Sequence, residues 1–335
     1  MFFDSEKILE QIWENFSNFI QKDEKITIAV SGGVDSLFLS IAIVSYIRNY
    51  NLDFEDFYFI IIDHKLREIS TSQCLETKRN LEKFGLQNVH ILTWQHDEIK
   101  SNIEDEARNA RYELLINFCH SHHIKKILLG HHLDDQIETF FMNVFRGSGT
   151  LGLGCMQEVS YKNNIQIIRP MLQIRKDKII NFMQNNDIYW TEDDTNCDNK
   201  FTRNKIRNIL AKVGLDDIIA NRIYDTINCI QDLNGMIMDD IDNILKSQHC
   251  LKNENNVIIK IDFFKTLHHQ RKIYFIYQIY KILSFNNKPR FQQISDLISI
   301  ISSFNSENKD IRKLYLSDLN IAISNQEIIF SKINN

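Results

Sequence analysis

Five short, almost unbroken apolar runs, at residues 25–30, 57–63, 89–94, 126–130 and 165–169, are separated by longer segments with helical apolar spacing. A strand that is apolar along its whole length is buried on both faces, which requires helices above and below a parallel sheet. The spacing predicts helices over 36–48, 71–84 and 103–123. The expected fold class is therefore α/β, a parallel five-stranded sheet with helices on both faces. At 335 residues the chain has room for about two domains. Beyond residue 215 the pattern changes to helices over 218–248 and 271–285 with strands at 257–261 and 320–330. This predicts a smaller α+β domain at 216–335 after a first domain at 1–215.

Composition narrows the function classes. A formal net charge of −5 excludes coating nucleic acid by global charge, so any RNA contact must come from a local basic patch. The six cysteines show no CxxC pair, and the start of the chain is acidic where a secretory leader would be basic. No apolar run approaches the ~20 residues of a membrane span. A cytoplasmic protein with no membrane contact is expected. Four of the ten glycines fall within 146–154, as either an ordinary connector or a mobile lid.

The first apolar run leads straight into Ser31-Gly32-Gly33-Val34-Asp35-Ser36. Glycines let a backbone turn tightly and approach a ligand, and the helix that follows offers free amides to an anion. No lysine follows the glycines, so the GxxxxGK[ST] grip is absent. In a doubly wound sheet such a turn, at the carboxyl end of the first strand, lies where ligands bind. The fourth run ends in Gly130-His131-His132-Leu133-Asp134-Asp135-Gln136-Ile137-Glu138. Its carboxylates either complement a helix macrodipole or form a site for a cation, Mg²⁺ or a substrate ammonium. Two further basic segments stand out. Arg108 and Arg111 sit three apart on a predicted helix, and Lys200, Arg203 and Arg207 share one helical face. The plain reading of each is a solvated surface; the functional one is a contact to phosphate.

Together these segments resemble the tRNA(Ile)-lysidine synthetase family of PP-loop ATP pyrophosphatases. The resemblance rests on residues 31–36, 63–67, 106–112, 130–139, 146–149, 169–172 and 190–207, where Trp190-x-Glu192-Asp193-x-Thr195-Asn196 precedes Arg203-Asn204-x-x-Arg207. Met171 departs from the family's usual leucine, a swap that conserves volume. The resemblance implies a catalytic ATP-binding domain at 1–215 and a tRNA-recognition appendage at 216–335. It implies ATP, with Mg²⁺, as the nucleotide substrate, and free L-lysine and an isoleucine tRNA with a CAU anticodon as partners. Asp35, Arg111, Asp135 and Arg203 are the expected catalytic residues. Ser31, Gly32, Gly33, Val34, Asp35, Ser36, Asp63 and His132 are expected at ATP, and Asp35 and Asp134 at Mg²⁺. Asp135, Glu138 and Arg111 are expected at lysine, and Lys200, Arg203 and Arg207 at tRNA. Oligomeric state is left open, a homodimer being one option.

Overall fold

A computed structural model describes residues 7–97, 103–190, 203–283, 289–304 and 311–333. The chain divides into two compact units, residues 1–142 with 156–224, and residues 143–155 with 225–335.

The first unit is built on a six-stranded sheet. Its strands are β1 (Ile26–Val30), β2 (Phe57–Asp63), β3 (Val89–Thr93), β4 (Lys126–Leu128), β5 (Val159–Lys162) and β6 (Ile165–Ile168), in the order β3-β2-β1-β4-β6-β5. The five expected strands all run parallel. The sixth, β5, is an added antiparallel edge strand that pairs with β6. Alternate residues sort the two faces. Phe57, Phe59 and Ile61 pack with helices α1 (Lys7–Ser17), α2 (Val34–Asn49), α3 (Ser70–Lys83) and α7 (Lys176–Asn185). Ile60, Ile127, Leu129, Ile165 and Ile167 pack against α4 (Ile103–Ser121) through Tyr112, Leu115, Ile116 and Cys119. Helix α2 is buried almost all round, as a helix with no polar face must be. Strand order reverses between β1 and β4, so the chain ends leaving these two neighbours form the crevice expected to take a ligand.

Helix α5 (Leu133–Arg146) follows β4, and α8 (Arg203–Val213) precedes α9 (Asp217–Lys246). Ala220, Ile223 and Tyr224 in the first turns of α9 pack with Leu133 and Ile137, which is why the first unit extends to Tyr224.

The second unit carries a five-stranded antiparallel sheet in the order β7-β8-β11-β10-β9. Its strands are β7 (Cys250–Lys252), β8 (Asn256–Lys260), β9 (Arg312–Leu316), β10 (Leu319–Ile323) and β11 (Glu327–Lys332). The single strand expected over 320–330 is thus a hairpin, broken where the Ser324 hydroxyl accepts from the amide of Glu327 at 3.0 Å. Helices α10 (Ile261–Thr266), α11 (His269–Ile282) and α12 (Phe291–Ser302) cover one face around Tyr274, Phe275, Tyr280 and Phe330. The glycine-rich segment 146–154 is built into the second unit. It holds a short helix, α6 (Thr150–Leu153), and Asn143, Gln231 and Asn234 donate side-chain hydrogen bonds to the carbonyls of Gly152, Gly154 and Thr150. A Cβ on Gly149 would come within 2.4 Å of the Phe291 ring, so the glycine serves close packing.

Candidate nucleotide and carboxylate site

The turn between β1 and α2 is set by two demands that only its residues meet. Gly32 has φ +88°, in the left-handed region, and a Cβ there would lie 2.6 Å from Thr77 Oγ1. Gly33 then caps α2 with extended backbone and no side-chain hydrogen bond. The first amides of a 16-residue helix are thereby left to an outside acceptor. Ser36 braces the turn. Its hydroxyl accepts from the Ser31 amide at 3.0 Å, donates to the Gly33 carbonyl at 3.0 Å, and lies 3.1 Å from Ser31 Oγ. Ser36 is therefore engaged as a buried strut, while Val34 opens the helix at its side.

Because β4 lies beside β1, the segment 131–138 is brought to the same end of the sheet. His132 is only 2% exposed and is surrounded by carboxylates. Its Nε2 lies 3.6 Å from Asp35 Oδ1 and 3.5 Å from Asp135 Oδ2, and its Nδ1 lies 3.9 Å from Asp134 Oδ2. The His132 amide also donates to Asp135 Oδ2 at 3.1 Å. Burial alone would lower the imidazole pKa, but Asp135 and Asp35 more than offset it and raise it above the usual value. For Asp35, burial pushes the pKa up, and His132 and Lys176 Nζ, 3.5 Å away, bring it below the ordinary carboxylate value. Asp63, at the end of β2 and 1% exposed, is likewise lowered against its burial. Thr71 donates to it at 2.7 Å and the Lys65 amide at 3.1 Å.

The remaining carboxylates have other partners. Asp134 accepts from Arg175 Nε at 3.2 Å and from the Lys176 amide at 2.8 Å, so it caps α7. Glu138, 6% exposed, takes the Arg207 guanidinium in a two-pronged grip of 2.5 and 3.0 Å. Two residues expected at different ligands, Glu138 at lysine and Arg207 at tRNA, thus hold each other. Asp134, Glu138, Arg175 and Arg207 line a cleft of about 500 Å³. Arg111, half-buried on α4, adds to burial in pushing the pKa of both His64 and His131 down. Arg203 opens α8, while Lys200 lies outside the described residues with the rest of 191–202. Arg175 and Lys176 are additions to the expected set; the only signal for them is a basic pair opening a helix beyond Pro170.

The Mg²⁺ expectation divides on this geometry. Asp35 Oδ1 is buried and accepts no hydrogen bond within 3.5 Å among the described residues, His132 Nε2 standing 3.6 Å off. It fits as the single protein carboxylate of an ion that phosphates mainly hold. Asp134 does not fit, since Arg175 and the α7 amide occupy its oxygens. Among the described residues no three acidic, histidine or cysteine side chains are placed to hold a metal by themselves. The thiols of Cys74, Cys119 and Cys250 are pushed up by burial to about 11 and that of Cys155 to about 12, which makes them poor nucleophiles or metal ligands. No helix among the described residues is long and apolar enough to cross a membrane.

Comparison with known proteins follows the same lines. The tRNA(Ile)-lysidine synthase of Orientia tsutsugamushi is 37% identical over 201 residues, 60% of this chain and 44% of that one. That of Wolbachia sp. subsp. Brugia malayi is 29% identical over 309 residues, 91% of this chain and 69% of that one. That of Wolbachia pipientis wMel is 33% identical over 216 residues, 64% and 50% of the two chains. The match therefore spans from under half to about two thirds of these relatives' length. Among solved structures, the U34-tRNA thiolase NcsA of Methanococcus maripaludis superposes with a TM-score of 0.55 at 16% identity, covering 68% of this chain and 77% of that one, a likeness of fold alone. The sequence model of the PP-loop domain matches residues 4–213, and it is to this PP-loop family that the chain belongs.

Proposed function

We propose that this chain ligates free L-lysine to C2 of the wobble cytidine in a CAU-anticodon isoleucine tRNA, at the expense of ATP. The observation that carries the reading is the pairing of β1 with β4. It sets an uncapped helix N-terminus, suited to a polyphosphate, beside a helix that begins with Asp134, Asp135 and Glu138. The cytidine O2 attacks the α-phosphorus of ATP, and pyrophosphate leaves. A lysine amine then attacks C2, and AMP departs with the former O2. The products are lysidine, AMP and pyrophosphate, with the amine's protons passing to nearby bases.

In this scheme the amides of residues 32–36 meet the charge that develops on the leaving pyrophosphate. Mg²⁺, held by phosphate oxygens and Asp35, would supply further charge neutralisation. Lys176 and His132 favour the ionised form of Asp35 in a half-buried place. Asp135, whose Oδ2 is fixed by the His132 amide, receives the lysine ammonium, and Arg111 its carboxylate. Glu138 joins that subsite when Arg207 leaves it, so Arg207 both closes the empty subsite and becomes available to phosphate once lysine is seated.

The test is ATP cleavage by the purified chain with an unmodified CAU tRNA, scored as AMP and pyrophosphate with and without lysine. Lysine-stimulated turnover that requires this tRNA supports the reading. Turnover indifferent to tRNA would remove RNA from it, and turnover that requires sulfide instead of lysine would make the chain a thiolase.

A further inference from the structure

Three cations surround the ring of one buried tyrosine in the first unit, and a fourth acts on its phenol. Tyr112, on α4, is 7% exposed. Arg108 Cζ lies 5.8 Å from its ring centroid, Arg111 Cζ 5.5 Å and Lys162 Nζ 5.0 Å. Arg169, also 7% exposed, is near enough to the phenol to lower its pKa, and donates Nη1 to the Gln157 carbonyl at 2.7 Å and to Ser160 Oγ at 3.0 Å. Helix α4, strand β5 and the residue after β6 thus contribute to one electropositive cluster.

Charges of one sign at this spacing repel, and cation–π attraction to a single ring offsets only part of that. Among the described residues no carboxylate forms an ion pair with Arg108, Lys162 or Arg169. The cluster's field is felt by its neighbours. Burial raises the Tyr112 phenol, yet Arg108, Arg111 and Arg169 bring it below its ordinary value of 10.0. His131 is driven well below the usual imidazole value by burial and then by Arg169, Arg111 and Arg108, and its buried Nδ1 has no hydrogen-bond partner. Such a concentration of positive charge in a chain of net charge −5 is complementary to an anion.

Exposure grades inward. Arg108 and Lys162 are exposed, Arg111 is half-buried and Arg169 is buried. A graded row of cations suits a chain of phosphates better than one compact group, and guanidinium groups engage phosphate oxygens two at a time. The triphosphate already has its own cradle at residues 31–36.

We propose that Arg108, Lys162 and Arg169, set around Tyr112, form a phosphate track for the backbone of the RNA substrate, distinct from the turn that holds the nucleotide. This rests on the RNA-modifying reading above. The experiment measures the dissociation constant of the whole chain for unmodified CAU tRNA across a potassium chloride series. The variants are Arg108→Gln/Lys162→Gln and the charge-keeping Arg108→Lys, with ATP affinity and melting temperature measured in parallel. The track predicts that the double variant flattens the log–log salt slope by about 0.7–0.9 for each phosphate no longer neutralised. ATP affinity and melting should stay within error, and Arg108→Lys should keep the wild-type slope. An unchanged slope and affinity in the double variant overturns the track. Loss of ATP affinity with the slope intact also overturns it and gives the cluster to the triphosphate. If the unaltered chain shows no affinity for tRNA, it is the RNA reading that fails.

Discussion

Asp35, Asp134, Asp135 and Glu138 each have a partner that also limits what they can do. His132 is the centre of charge. Its raised pKa means that the protonated form is favoured in the folded state, so its contribution to stability is fully present below about 6.5 and is lost as pH rises through the raised value. The stability difference between wild type and His132→Gln should therefore shrink as pH is taken upward from about 6, read from urea unfolding at a series of pH values. Asp35 and Asp63 act in the opposite sense. Their lowered pKa values contribute stability above the usual carboxylate value that is lost as pH falls. Asp134 and Asp35 separate by readout. Asp134→Ala removes the cap of α7 and should cost about 1–2 kcal/mol of stability. Asp35→Ala should instead reduce ATP cleavage by at least ~10²-fold, as loss of a preorganised charge does, with a smaller effect on melting. If Asp134→Ala melted like wild type, the capping role would be wrong.

At the scale of elements, the Glu138–Arg207 pair ties α8 to α5. The Arg207 side chain is 40% exposed and the Glu138 side chain 8%, so solvent screens the pair only in part. Arg207→Met strands a nearly buried carboxylate and should destabilise by about 1–3 kcal/mol, with Glu138→Gln in the same background recovering part of the loss. Additive losses in that cycle would show that the two do not act as a pair. The glycine-rich segment gives a second element-scale expectation. Gly149→Ala drives a methyl group into Phe291 and should cost about 1–3 kcal/mol, visible as a lower melting temperature.

These elements also show what was legible beforehand. The five parallel strands and the turn at residues 31–36 could be read because continuous burial and close backbone approach leave marks in neighbouring residues. The β5–β6 hairpin could have been found, since Asn163 and Asn164 both take positive φ, 48° and 61°, as a two-residue hairpin turn requires. The Glu138–Arg207 and Arg175–Asp134 pairs could not. They join positions tens of residues apart, and local spacing carries no sign of which cation reaches which carboxylate.

For the whole molecule, the PP-loop unit brings together the helix N-terminus, the ionised Asp35 and the carboxylates of α5. The second unit has a core of its own and a separate antiparallel sheet. In the proposed scheme nucleotide chemistry falls to the first unit, and the proposed phosphate track around Tyr112 lies in the same unit. It follows that Glu138→Gln should raise the Michaelis constant for lysine more than that for ATP, and equal losses of both would merge the two subsites into one. The most direct test of the central claim is the nucleoside content of a CAU isoleucine tRNA after incubation with the chain, ATP and lysine, digested and resolved by mass. The expected result is conversion of the wobble cytidine to a nucleoside that carries lysine at C2, abolished by Asp35→Ala. An unchanged cytidine, under conditions where the chain binds both ATP and the tRNA, would contradict it.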